Sequence, residues 1–188
     1  MEIFKSNRKE LVFRHFLSYA EVSTEKSMKE NAKIILGIDP GTSATGFGIV
    51  HIDRTRRMKP VDYGVIRPPL SKPITYRYRI IFEGITALVK KWDFEAVAVE
   101  TQYVKKNPQS AIKLGMARAA AILPALLLDI PVFEYPPARA KRAVVGGNAS
   151  KEQVQKMVQT LLGLNKLPSP HDAADALALA ICHAHSIT

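Results

Sequence analysis

Three acidic side chains stand where ordinary packing does not ask for charge, and a fourth follows one of them at helical spacing. Asp39 closes the apolar run Ile34-Ile35-Leu36-Gly37-Ile38 and opens the turn Asp39-Pro40-Gly41-Thr42. Glu100 closes a second apolar run, Ala96-Val97-Ala98-Val99. Asp172 falls in the expected first turn of the last helix, with Asp175 three residues on and therefore on the same helical face. Carboxylates gathered this way repel one another and carry raised pKa values unless hard, oxygen-seeking ions such as Mg²⁺ neutralise them. Two such ions can activate a water and stabilise the leaving oxygen of an in-line phosphodiester displacement. Taken singly, each residue has an ordinary use: Asp39 as a turn former, Asp172 as a complement to the helix dipole, Glu100 as a surface charge at a strand end. Their joint placement is what points to a site.

The composition names the kind of substrate such a site would meet. The chain has 188 residues with 27 Lys and Arg against 17 Asp and Glu, a net charge of +10 that attracts phosphate polymers. With 47% hydrophobic and 23% charged residues it has the profile of one soluble globular domain with its own core. Cys182 is the only cysteine, so no intramolecular disulfide and no CxxC zinc ribbon can form, and a reducing compartment, the cytoplasm, is the expected location. No run reaches the roughly 18 apolar residues of a membrane span, and the first residues lack the apolar stretch of a secretory signal.

Positioning the carboxylates requires an alternation of strands and helices. Residues 1–33 carry 7 basic and 5 acidic side chains and are expected to be a weakly ordered extension, leaving one domain over 34–188. Ile34–Ile38 reads as a strand buried on both faces. Gly46–Ile52 and Val61–Ile66 read as two further strands around the charged turn Asp53–Pro60, so that the first three strands form an antiparallel meander. Tyr78, Ile81, Ile85, Leu88 and Trp92 then share one helical face, and Ala96–Val99 returns as a strand that delivers Glu100. Asn107-Pro108 opens a helix expected to run to about Leu128, and Pro131–Tyr135 is a fifth strand ended by Pro136-Pro137. Ser150-Lys151-Glu152-Gln153 is a capping box before an amphipathic helix stopped by Gly163, and Ser169-Pro170 starts the last helix. The sum is an α/β domain built on a five-stranded mixed sheet flanked by helices.

The same residues carry a resemblance. Ile35-Leu-Gly-Ile-Asp39-Pro-Gly-Thr42, Val97-Ala-Val-Glu100-Thr-Gln-Tyr103, Lys105–Arg118, Val132-Phe-Glu-Tyr135, Ala143-Val-Val-Gly146 and His171-Asp-Ala-Ala-Asp-Ala-Leu-Ala178 resemble, in order and from about Lys33 to His185, the RuvC family of Holliday junction resolvases. The resemblance implies an RNase H-like fold and symmetric, Mg²⁺-dependent nicking of four-way DNA junctions by a homodimer, with Mn²⁺ able to substitute and the RuvA and RuvB branch-migration proteins as partners. It implies that Asp39, Glu100, Asp172 and Asp175 are the catalytic and metal-binding acids. Some relatives carry His at the first position of the final pair, but the three-residue spacing to Asp175 favours Asp172 over His171. It implies as well that Tyr103 stacks on a base near the crossover and that Lys141 and Lys151 contact DNA. Lys151 draws attention on physical grounds too, since a cation in a first helical turn opposes the helix dipole.

Two other readings compete. Asp39-Pro-Gly-Thr in a glycine-rich hairpin also resembles the first phosphate loop of sugar kinases and actin-like ATPases, which need a second related domain that this chain is too short to supply. A non-catalytic junction binder would retain the fold, but loss of catalysis usually removes carboxylates, and all four are present. Tyr76-Arg77-Tyr78-Arg79 is expected to be structural, with Arg79 paired to Glu83 at i+4. Cys182, His183 and His185 point around one helix rather than to a common ion, and Glu134 is read as structural.

Overall fold

The computed structural model describes residues 33–101, 107–147 and 149–187. β1 (Lys33–Asp39) has Ile35, Leu36 and Ile38 all without exposed surface, as its unbroken apolar run requires of a central strand. It pairs antiparallel with β2 (Thr45–Ile52) on one side and parallel with β4 (Ala96–Glu100) on the other. β3 (Met58–Ile66) and β5 (Val132–Tyr135) are the edges, giving the order β3-β2-β1-β4-β5. The expected meander of the first three strands and the mixed five-stranded sheet are both present.

Helices cover both faces. α1 (Ile74–Lys91) and α2 (Pro108–Leu126) pack on one, through Ile81, Ile85 and Val89 of the first and Ala117, Ala121 and Ala125 of the second. The small side chains of α2 let it sit close to its neighbours. α3 (Pro137–Val145), α4 (Lys151–Leu162) and α5 (His171–Ser186) cover the other face. α5 is buried nearly all round, from Ala173 to Ala184, because it lies between the sheet and the other two helices. No helix among the described residues is long and apolar enough to cross a membrane.

The start and stop signals operate as their chemistry dictates. Asn107 Oδ1 accepts from the Ser110 amide at 3.2 Å ahead of Pro108. Ser150 and Gln153 form the reciprocal capping box, with Gly163 left-handed at the other end of α4. α2 ends at Leu126, two residues earlier than expected. A further helix, α3, begins at Pro137, the residue read as ending β5, because a proline that cannot continue a strand ladder is pre-set for a first helical turn.

Candidate active site

Strand parity decides which side of the sheet receives the acids. On β1, Ile35 belongs to the core under α5, while Leu36 and Ile38 belong to the core under α1 and α2. Counting on by twos places Gly37 and Asp39 on the α5 face. On β4, Ala98 lies in the α5 core and Val97 and Val99 in the other, so Glu100 emerges on the same face as Asp39. Parallel pairing of Ile38 with Val99 makes the two acids neighbours at adjacent strand ends. α5 supplies the other pair from its N-terminal turns.

How closely α5 approaches is set by glycines. A Cβ built on Gly46 would stand 2.0 Å from the carbonyl oxygen of Asp172, and one on Gly37 would stand 1.9 Å from that of Ala176. These positions form a floor without side chains, on which the helix backbone rests directly. We expect Gly46→Ala to displace Asp172 and cost about 1–3 kcal/mol as overpacking. In calorimetry with a parallel cleavage assay, a variant of unchanged stability and activity would show that the close approach is dispensable.

The loop after Asp39 is braced from both sides. The fully buried Thr45 donates its hydroxyl to the Gly41 carbonyl at 3.0 Å and accepts from the Gly41 amide at 3.4 Å. Arg77 Nη1 of α1 donates to the Thr42 carbonyl at 3.3 Å. Nothing in the periodicity of the sequence marks Thr45 or Arg77 for this task. Arg79 does pair with Glu83, at 2.6 Å, and Tyr78 packs against the core. Glu134 pairs with Arg118 of α2, in keeping with a structural role. His183 is buried and shares a 2.7 Å hydrogen bond between its Nδ1 and the Tyr135 hydroxyl.

The electrostatics identify the four acids as one cluster. Asp39 is pushed from 3.8 up to about 8, first by burial and then by the charges of Glu100, Asp175 and Asp172, with Lys151 pulling weakly the other way. Asp175 is raised by burial, against the lowering influence of Lys151 and Lys141. Lys151 Nζ stands 3.9 Å from Asp175 Oδ2, a loose pair across the mouth of the site. Both lysines singled out in the sequence therefore act on the cluster. His171 lies beside it with Nδ1 buried and without a hydrogen-bond partner. Tyr103 is outside the described residues.

Each of the four acids offers carboxylate oxygens, the chemistry a hard divalent cation prefers. Among the described residues, however, no three His, Cys, Asp or Glu side chains converge closely enough to hold an ion unaided. These observations agree if the ligand shell is completed from outside: Mg²⁺ is typically held by one or two carboxylates, waters and substrate phosphates rather than by a closed protein cage.

Residues 35–183 match the family model described as crossover junction endodeoxyribonuclease RuvC. The chain belongs to the RuvC family. A RuvC from Protochlamydia amoebophila is 56% identical over 155 residues, covering 82% of this chain and 92% of the relative. One from Chlamydia caviae is 51% identical over 157 residues, covering 82% and 94%. Among solved structures, Thermus thermophilus RuvC in complex with a Holliday junction substrate superposes with a TM-score of 0.77 at 33% identity, over 82% of this chain and 94% of that one. The yeast mitochondrial Holliday junction resolvase Ydc2, at 12% identity and a TM-score of 0.58, shares the fold. The fold is thus RNase H-like, and the RuvC family to which the chain belongs is one of hydrolases acting on DNA. All four carboxylates lie within the RuvC match.

Proposed function

We propose that this RuvC-family protein resolves four-way DNA junctions by divalent-metal-dependent hydrolysis of two symmetry-related phosphodiester bonds, acting as a cytoplasmic homodimer in recombination and repair. The observation that carries the reading is the placement of Asp39, Glu100, Asp172 and Asp175 at one end of one face of the sheet, with Asp39 pushed up to about 8 by burial and by the charges of the other three. The junction as substrate is supported by the relative whose structure holds one.

Asp39, Glu100, Asp172 and Asp175 are the residues that would hold Mg²⁺ or Mn²⁺, two ions per site. Bound there, the metal supplies Lewis-acid activation of water and neutralisation of phosphate charge. The chain's own residues do the rest. Lys151 and Lys141 offset the negative charge at the mouth and meet the approaching phosphates, and Tyr103 stacks on a base near the crossover, a contact worth about 1–3 kcal/mol per base. Membership of the RuvC family supports partners of the RuvA and RuvB kind as part of this reading. The deciding experiment is strand cleavage of a four-way junction with and without Mg²⁺. Binding without cleavage under any divalent metal would leave a non-catalytic junction binder.

The raised pKa of Asp39 makes a second, independent prediction. Its folded-state value lies above its unfolded value, so the folded protein holds the extra proton between about pH 4 and 8. Stability is therefore lost as pH rises through that window. Adding Mg²⁺ removes the repulsion and should raise the melting temperature more at pH 8.5 than at pH 5. Equal shifts at both pH values in differential scanning fluorimetry would mean that the metal binds elsewhere.

A further inference from the structure

The end of the sheet opposite the carboxylates carries a second concentration of positive charge. Asp39 pairs with Gly46 at the site end, whereas Lys33 pairs with Ile52 and His51 with Lys59 at the other. Six residue steps along β1 separate the two ends, about 20 Å at strand rise. There β2 and β3 are joined through Asp53-Arg54-Thr55-Arg56-Arg57, and Arg56, Arg57 and Lys59 are exposed. Among the described residues, none of these three forms a salt bridge.

This turn is built rather than loose. Asp53 Oδ1 accepts from the Thr55 amide at 2.8 Å, the Thr55 hydroxyl at 2.7 Å and the Arg57 amide at 3.0 Å. The Asp53 amide donates to the Arg57 carbonyl at 3.1 Å, and the Arg56 amide to the Asp53 carbonyl at 3.0 Å. The one acidic group of the turn is thus turned inward onto its backbone while the cations face out. Arg56 has φ +65°, the left-handed region that glycine or asparagine occupies at less cost. A long cation kept at a strained position, next to two others that repel it, is a poor design for a turn and a sound one for a polyanion contact.

We propose that the β2–β3 hairpin is a second DNA contact, in which Arg56, Arg57 and Lys59 grip the phosphate backbone of duplex DNA away from the site of cleavage. The inference rests on the reading of DNA as the substrate. It adds a surface that no step of hydrolysis uses, at a distance from the carboxylates equal to about six base pairs of duplex. A hairpin tip suits the task because its rigid backbone fixes three cations without the ordering cost of a mobile loop.

The test is the salt dependence of binding by the full-length protein, measured by fluorescence anisotropy on a four-way junction and on a linear duplex of equal length. Each phosphate contact contributes about 0.9 to the slope of log K against log salt, so R56G/R57Q/K59Q should lower the magnitude of the slope by about 2 to 3 and weaken binding at least about tenfold. Arg57→Lys, which keeps the charge, should leave the slope unchanged. Arg56→Gly alone separates function from structure: the melting temperature should hold or rise as strain is relieved, while the slope falls by about 0.9. Slopes equal to wild type in the triple variant on both DNAs would overturn the proposal. If wild-type protein fails to prefer the junction to the linear duplex, junction resolution falls instead, and the slopes on linear duplex still decide the role of the hairpin.

Discussion

Asp39→Asn, Glu100→Gln, Asp172→Asn and Asp175→Asn are each expected to slow junction cleavage by at least about 10³-fold while leaving junction affinity within a few-fold of wild type. Each exchange keeps the shape of the side chain and removes the charge that would hold a divalent ion. The cations proposed to supply affinity, Lys141 and Lys151 among them, are untouched. Asp39→Asn should also stabilise the protein in the absence of metal, because the carboxylate it replaces is the one pushed up to about 8 by burial and by its three acidic neighbours. A gain of about 1–2 kcal/mol would raise the melting temperature by roughly 2–8 °C. Loss of activity with gain of stability in one variant is the mark of a site whose repulsion is retained for use. Single-turnover cleavage and thermal melting on the same preparations check both halves. Full cleavage by any one variant would remove that residue from the site.

Strand ends explain why so much of this site could be read from the sequence. Asp39 and Glu100 terminate apolar runs, and a run buried on both faces must end where the sheet meets solvent, so their placement at strand ends follows from patterning, and the parallel pairing of β1 with β4 puts both at the same end of the sheet. Asp172 and Asp175 are tied to one another by helical spacing. What the residue types do not show is how closely the last helix, which carries the second pair, approaches the sheet. That depends on α5 lying in contact with β1 and β2, which is possible only because Gly37 and Gly46 leave no side chain between helix and sheet. Glycine in a strand reads as a weak position or a bulge, and its service as a landing surface is a tertiary fact. The braces at Thr45 and Arg77 were hidden for the same reason, since each acts across the fold on a carbonyl, and carbonyls leave no trace in residue type. α3 is harder to see in the sequence because Pro136-Pro137 reads first as the end of β5, although the same proline is pre-set for a first helical turn.

The helix α2 carries the other large expected effect. Its buried side is made of Ala117, Ala120, Ala121 and Ala125, yet Ile112, Met116, Leu123 and Leu126 stand 45–64% exposed along the opposite side, with Ala119 between them. The spacing of four, three, four and three residues is that of a seam between two packed helices. A helix lying wholly inside the domain would have no such stripe, and one on the surface of a monomer would have little use for it. The proposed homodimer needs two sites related by a twofold axis, and a self-complementary stripe is how such an axis is made. Met116→Glu should therefore give a folded monomer. Glutamate is a good helix former, and the position is half exposed in the single subunit, so the domain itself loses little. In the dimer, the substitution enters twice and brings two like charges into the seam. Light scattering should show the subunit mass, and cleavage should proceed by slow, uncoordinated single nicks with all four carboxylates intact. Mixing Met116→Glu with Met116→Lys should restore both the dimer and paired cutting, since opposite charges then face each other. A Met116→Glu protein that stays dimeric and cuts both strands together would place the interface on another surface, and failure of the mixture to recover would show that the loss came from the helix rather than from the seam.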